Sequence, residues 1–191
     1  EISSRPQGTT AEVFELLNYM ILASCNESTN MLADRVGIPN INRIMNELGC
    51  PNTRMGHLLH RGAQLVEPGI DGTYSNTTTA NEMTQLMSMI YTDRAASAKM
   101  SSHMSAILEN RPEIEYGMRS VNTCMRNALP TETIVGAKSG LLEEDIMETA
   151  CIDSKYVITV MINKIPSKFL ELGGAVIGMI GKRTYEVYAK K

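Results

Sequence analysis

The stretch Met125-Arg126-Asn127-Ala128-Leu129-Pro130, then Thr131 to Ala137, then Lys138-Ser139-Gly140, decides how this chain is read. Ile134 and Val135 lie in a short apolar segment that ends on a cation, a hydroxyl and a glycine. A strand is expected over Thr131 to Lys138, since β-branched and apolar residues suit a pleated, half-buried surface. Its end offers an ammonium group, a hydrogen-bond donor and bare backbone to an anionic ligand. Only glycine lets a ligand come that close to the main chain. Alone the tripeptide is a weak signal, because Lys-Ser-Gly arises by chance in many proteins.

Downstream, Met147 to Asp153 reads as a second strand and Tyr156 to Ile162 as a third. The third is a near-continuous apolar run, as expected of a strand covered on both faces. Ser167 then caps a long C-terminal helix through Leu170, Val176, Met179, Ile180 and Val187. Upstream the pattern is helical. Thr9 and Glu12 have capping-box spacing, followed by Val13, Leu16, Leu17, Met20 and Ile21 at helical intervals. Asn26 or Ser28 is expected to cap a second helix through Met31, Leu32 and Val36, closed by Gly37. Pro39-Asn40 opens a third with Ile41, Ile44, Met45 and Leu48 inward, closed by Gly49. A capping box from Thr79 to Glu82 starts a helix through Met83, Leu86, Met87 and Ile90. Another passes through Met100, Met104, Ile107 and Leu108, and a short one lies between Pro112 and Asn122. The order of elements divides the chain into a mostly helical part, residues 1–130, and a part with three strands and the last helix, residues 131–191. The fold class is α/β, of the α+β kind.

At 191 residues the chain can bury a sizeable core. A net charge of −3 without a long basic run argues against a nucleic-acid surface. No stretch reaches the roughly 20 apolar residues of a membrane span. The 14 methionines read as core filler, not as a cofactor box. Cys25, Cys50, Cys124 and Cys151 contain no Cys-x-x-Cys pair and fix no disulfide pattern. His57 and His60 could share a helical face as metal ligands, but no third ligand accompanies them. No cofactor or metal is expected.

Lys-[Ser/Thr]-Gly is one of three motifs of the penicillin-recognising serine hydrolases, the class A β-lactamases and penicillin-binding proteins. Met-Arg-Asn-Ala-Leu-Pro, seven residues and Lys-Ser-Gly together resemble the class A approach to that motif. The second motif, Ser-x-Asn, is matched by Ser24-Cys25-Asn26, although Ser and Asn are also favoured as helix caps at a junction between helices. Glu67-Pro68-Gly69-Ile70-Asp71 is similar to the Glu-Pro-x-Leu-Asn of the class A omega loop. It also reads as an exposed acidic turn. Thr77-Thr78-Thr79 corresponds to a threonine run that enters a helix in the family. The resemblance covers almost the whole chain and implies a β-lactamase/transpeptidase-like fold: a helical subdomain plus an antiparallel sheet closed by a C-terminal helix, incomplete at the N-terminus.

The chain departs from the family in three places. Cys25 stands where class A enzymes carry aspartate, and the strand after Leu141-Leu142-Glu143-Glu144-Asp145 lacks an arginine that binds the substrate carboxylate. No serine has a lysine three residues on, so the nucleophile of Ser-x-x-Lys is not among these residues. The chain opens on Glu1-Ile2-Ser3-Ser4 like the interior of a longer protein, and an N-terminal companion segment is expected to complete the fold. The same opening suits half of a split protein, or a derivative that has lost catalysis. The resemblance implies an acyl-enzyme route acting on a β-lactam or on a cell-wall D-alanyl-D-alanine peptide, outside the cytoplasm. It implies that Ser24 shuttles a proton, Lys138 holds positive charge near Ser24 and the substrate carboxylate, and Glu67 activates the deacylating water. Ser139, Gly140 and Asn26 contact substrate, the N–H of Leu141 supplies half an oxyanion hole, and Asp71 takes the place of the omega-loop asparagine. A non-catalytic β-lactam- or muropeptide-binding domain is the alternative of another class.

Overall fold

A computed structural model describes residues 6, 8–59, 76–110 and 124–188. It falls into two compact units, residues 1–82 and 83–191. Glu67, Asp71, His60 and the segment between Pro112 and Asn122 lie outside the described residues.

Among the described residues the first unit holds three complete helices: α1 (Val13–Leu22), α2 (Asn26–Val36) and α3 (Ile38–Glu47). The capping box expected at Thr9 does not form. The Thr9 hydroxyl donates to the Pro6 carbonyl at 2.7 Å, and α1 begins only at Val13, after Glu12. Cys25, not Asn26 or Ser28, occupies the position before α2. Gly37 ends α2 at φ 85°, a left-handed value that favours glycine. The inward face of α3 differs from the apolar pattern. Ile44 is exposed, whereas Asn42 is buried. The Asn42 amide accepts from the N–H of Met55 at 2.8 Å and donates to its carbonyl at 2.9 Å, as a neighbouring strand would. Asn30 of α2 does the same for Leu59 at 2.8 Å in both bonds. These two asparagines dock the loop after α3 over a small core of Ala33, Ile38 and Leu58.

The first unit ends inside the first turn of α4 (Ala80–Tyr91). Thr79 caps that turn, its hydroxyl accepting from the N–H of Glu82 at 3.2 Å. The Glu82 carboxylate does not return to the cap. It accepts from the N–H and side chain of Asn52 at 3.0 and 2.6 Å and from the Thr53 hydroxyl at 2.7 Å. Burial alone would raise its carboxyl pKa, but those bonds outweigh it and hold it below the usual value.

In the second unit α5 (Ala98–Glu109) is capped by Ser97, and α6 (Cys124–Ala128) is a single short helix. Three antiparallel strands follow: β1 (Val135–Leu141), β2 (Ile146–Ile152) and β3 (Tyr156–Ile162), in that spatial order. β1 starts four residues later than expected, with Ile134 exposed before it, so Lys138-Ser139-Gly140 lies within the strand. A 3₁₀ turn (Ser167–Phe169) leads into α7 (Leu170–Tyr188).

Strand alternation separates the two faces. Val135, Ala137, Ile146, Ala150 and Ile152 pack with Met125, Leu129 and Ile177 into the core of this unit. α7 meets that core through Ile177, which is fully buried, and through small residues, whereas the expected Met179 and Val187 are exposed. Gly178 lies so close to α6 that a Cβ there would stand 3.0 Å from the Cys124 carbonyl oxygen. At Gly181 it would stand 2.9 Å from Cγ of Met125. β3 is only half-buried along its length, because it pairs on one side alone among the described residues.

Candidate functional site

Ser24 and Asn26 lie in the first unit, where three residues join α1 to α2. The turn is tied by the N–H groups of Ala23 and Cys25, both donating to the Tyr19 carbonyl, at 3.2 and 3.0 Å. Such a tight reversal needs a left-handed residue, and Ser24 fills that place at φ 49°. A non-glycine residue there stores about 1–3 kcal/mol of strain, which persists only where surrounding bonds enforce it. Ser24 is exposed. Asn26 is half-buried as the first residue of α2. Cys25 donates its thiol to Glu27 at 3.4 Å.

Lys138, Ser139, Gly140 and Leu141 lie together on β1 of the second unit, opposite Thr149, Glu148, Met147 and Ile146 of β2. β1 has a strand on one side only among the described residues. Alternate backbone N–H and C=O groups therefore point away from β2. The Lys138 ammonium turns onto the strand and donates to the Ser139 carbonyl at 2.5 Å. Burial pushes its pKa down to about 8, against the opposing pull of Glu148. Gly140 would bring a Cβ to 3.1 Å from the Met147 side chain. The hydroxyls of Thr84, Thr159 and Thr149 form a chain with spacings of 2.7 and 3.1 Å, and Thr149 is the residue of β2 paired with Lys138. A cation of weakened solvation beside a hydroxyl and open backbone is suited to a carboxylate-bearing ligand.

Two charged residues of this unit carried no role in the sequence reading. Glu148 is 1% exposed on the core face of β2. Burial raises its carboxyl pKa to about 7, opposed by the N–H groups of Met125 and Cys124 and by the charges of Arg126 and Lys138. Alternation would have marked it, since Ile146, Ala150 and Ile152 share its face. Arg126, in the Met-Arg-Asn-Ala-Leu-Pro run, is buried and donates to the carbonyls of Leu108, Asn110 and Val135. It ties the end of α5 to the start of β1. Sequence spacing gave no sign of that task.

His57 contacts the carbonyl of Leu58 through Nδ1 at 2.8 Å. No group of three or more potential metal ligands occurs among the described residues.

Known proteins agree with this architecture. The chain aligns with PBP-A over its full length and over 66% of that protein, at 20% identity and a TM-score of 0.77. It matches the β-lactamase of Sphaerobacter thermophilus DSM 20745 at 21% identity and a TM-score of 0.76, covering 96% of this chain and 65% of that one. A class A β-lactamase from Bacteroides cellulosilyticus DSM 14838 gives 20% identity and 0.76, covering 96% and 66%. The chain thus spans about two thirds of the length of these structures, and the likeness establishes the β-lactamase/transpeptidase-like fold. None of the curated proteins compared matches the chain. The model of the β-lactamase enzyme family matches residues 1–188. The chain belongs to that family.

Proposed function

We propose that this chain serves a serine β-lactam hydrolase that works through an acyl-enzyme, with the nucleophile supplied by a segment outside these 191 residues. The observation that carries this reading is the family match across residues 1–188. The placement of Lys138, Ser139 and Gly140 on one partly exposed strand supports it. In this reading a serine Oγ attacks the lactam carbonyl, the C–N bond breaks, and the Ser24 hydroxyl relays a proton to the leaving nitrogen. Lys138 and Ser139 hold the substrate carboxylate, Gly140 leaves the backbone open, and Asn26 binds the side-chain amide. The N–H of Leu141 supports the oxyanion, a donor whose loss costs about a hundred- to a thousandfold in rate. Water activated by Glu67 then cleaves the ester, and Asp71, in the place of the family's omega-loop asparagine, contacts the substrate. The reaction takes place outside the cytoplasm, and a companion segment completes the sheet.

A second reading, a D-alanyl-D-alanine peptidase of the penicillin-binding kind, is favoured by the likeness to PBP-A. A mutant of that protein is known as an acyl-enzyme complex with penicillin G, and it matches this chain at a TM-score of 0.78. A third, a binder of β-lactams or muropeptides without catalysis, draws on the lack of Ser-x-x-Lys in this sequence.

An intact-mass spectrum of the natural full-length protein, with and without excess penicillin, tests the proposal. The expected result is a mass well above 21.0 kDa, with either a penicillin adduct or loss of the drug. Glu67→Gln then traps the adduct in the hydrolase. A protein that neither takes up nor consumes penicillin overturns the enzymatic readings.

A further inference from the structure

The sheet carries a second recess, on the face away from Lys138. Leu141 and Ile146 are a cross-strand pair on the side of β1 and β2 that α6 and α7 cover. Strand alternation puts Lys138, three residues before Leu141, on the other side. Between α6 and α7 lies a cavity of about 590 Å³, a size that holds a small organic ligand. It exists because both helices lack bulk there. A Cβ at Gly174 would stand 3.2 Å from Sγ of Cys124, and one at Gly178 would stand 3.3 Å from Cβ of Ala128. The helices meet through small residues, and the space beside that contact is walled by Leu141, Ile146, Leu170, Met179 and Cys124. Burial pushes the Cys124 thiol up to about 11, so it stays neutral and adds to the apolar wall.

Three polar residues stand on the rim: Glu171, Asn127 and Lys182. All are exposed, and their side chains make no hydrogen bond or ion pair among the described residues. Glu171, Ala175, Gly178 and Lys182 follow at i, i+4, i+7 and i+11, one stripe along α7. Helical rise over that span places the two charges roughly 16 Å apart along the axis. Asn127 belongs to the Lys182 half, because its neighbour Ala128 packs on Gly178. Leu141, Ile146 and Leu170 belong to the Glu171 half, where a Cβ at Gly174 would stand 3.5 Å from Cδ1 of Ile146. One half thus offers an ammonium group and an amide donor. The other is an apolar pocket with a carboxylate at its mouth, which repels an anion.

We propose that this cavity is a binding site for an amphipathic monocarboxylate, its carboxylate between Lys182 and Asn127 and its unbranched apolar chain laid along α7 toward Leu141, Ile146 and Leu170. Lys182 and Asn127 donate to the carboxylate oxygens, and the chain buries the apolar wall that the glycines leave open. The head group alone sits on an exposed rim, where an ion pair contributes little, so the chain is needed for affinity. An amine of the same length meets Lys182 as a like charge. Reversed, it lays its chain in the half that lacks the bulky apolar wall. The site stands apart from the acyl-enzyme chemistry, which uses the other face of the sheet.

The test is methyl NMR of the natural full-length protein, labelled at methionine and alanine and titrated with decanoate. The methyl groups of Met179, Ala128 and Ala175 are expected to shift together and saturate. Acetate and decylamine leave them in place at the same concentrations. Lys182→Glu weakens decanoate about tenfold, and Ala175→Trp, which fills the groove, abolishes the shifts. Both substituted residues are exposed, so neither change disturbs the core. Met147, whose side chain lies beside Gly140 on the Lys138 face, is the internal control. Shifts confined to Met147 place decanoate at the other site and overturn the proposal. So do the absence of saturable shifts, equal binding of decylamine, or a Lys182→Glu affinity within about twofold of the parent. None of these results bears on penicillin acylation, and failure of the acylation experiment leaves this titration valid.

Discussion

Replacing Arg126 by methionine tests whether the run before Lys138-Ser139-Gly140 is an anchor for β1. Arg126 donates through Nη1 to the Asn110 carbonyl at 3.0 Å and through Nη2 to Leu108 at 3.0 Å and Val135 at 2.5 Å. Leu108 and Asn110 stand at the C-terminal end of α5, where carbonyls lack helical partners and the helix dipole favours a cation. Methionine keeps most of the apolar stem and removes the donors. At least two buried carbonyls are then orphaned, at about 1–3 kcal/mol each. The guanidinium no longer has to be desolvated, which offsets part of that cost. A net loss of about 3–4 kcal/mol is expected, or a fall in Tm of about 6–16 °C for a chain of this size. Lysine recovers less than half, since one ammonium cannot reproduce a planar fork. Thermal and urea unfolding followed by circular dichroism measure the difference. A methionine variant within about 1 kcal/mol of the parent, or full recovery by lysine, refutes the anchor.

The same region carries two further predictions. A Cβ at Gly136 would overlap the Tyr91 hydroxyl and stand 2.9 Å from its Cζ, so Gly136→Ala costs about 1–3 kcal/mol. The cost is smaller in a Tyr91→Phe background, and an additive double-mutant cycle would count against this contact. The Glu148 carboxyl is raised from 4.5 to about 7 on folding. The native state therefore binds the proton more tightly, and stability falls as pH rises through that window. Glu148→Gln removes this fall, and parallel stability–pH curves for parent and variant between those values would contradict the assignment. Lys138, lowered to about 8, acts the other way, adding stability as pH climbs above that value.

The strands and most helices were legible because each rests on a local period. β3 was read over its observed range, Tyr156–Ile162, from its β-branched run alone. α1 and β1 began later than expected for a shared reason: the first polar or apolar residues of each pattern found other partners. Thr9 bonds to Pro6, and Ile134, exposed, donates its N–H to Asp153. The packing of α7 was hidden because periodicity counts apolar side chains. The contact there is made by glycines that let α6 come close. The buried asparagines were hidden for the opposite reason. An amide that imitates a strand edge looks like a surface residue until the loop it binds is placed.

For the candidate site, the distinction that matters is between buried polar groups that are satisfied and those that are not. Asn30, Asn42, Glu82 and Arg126 are all buried, and each has hydrogen bonds that account for it. Their roles are therefore structural, and an apolar replacement of matching shape would test stability alone. Among the described residues Glu148 leaves an oxygen unpartnered, Lys138 is partly desolvated, and Ser24 holds a strained backbone. Buried neutral hydroxyls without a partner, such as Ser28 and Ser101, are a lesser burden than a carboxylate. Sequences tend to agree with their folds at every level except where another requirement competes. Two of these three residues, Ser24 and Lys138, match family motifs on sequence alone. The third, Glu148, belongs to neither motif, and among the described residues its unpartnered oxygen sets it apart from the satisfied set. Burial without full compensation makes its titration more informative than its contribution to stability.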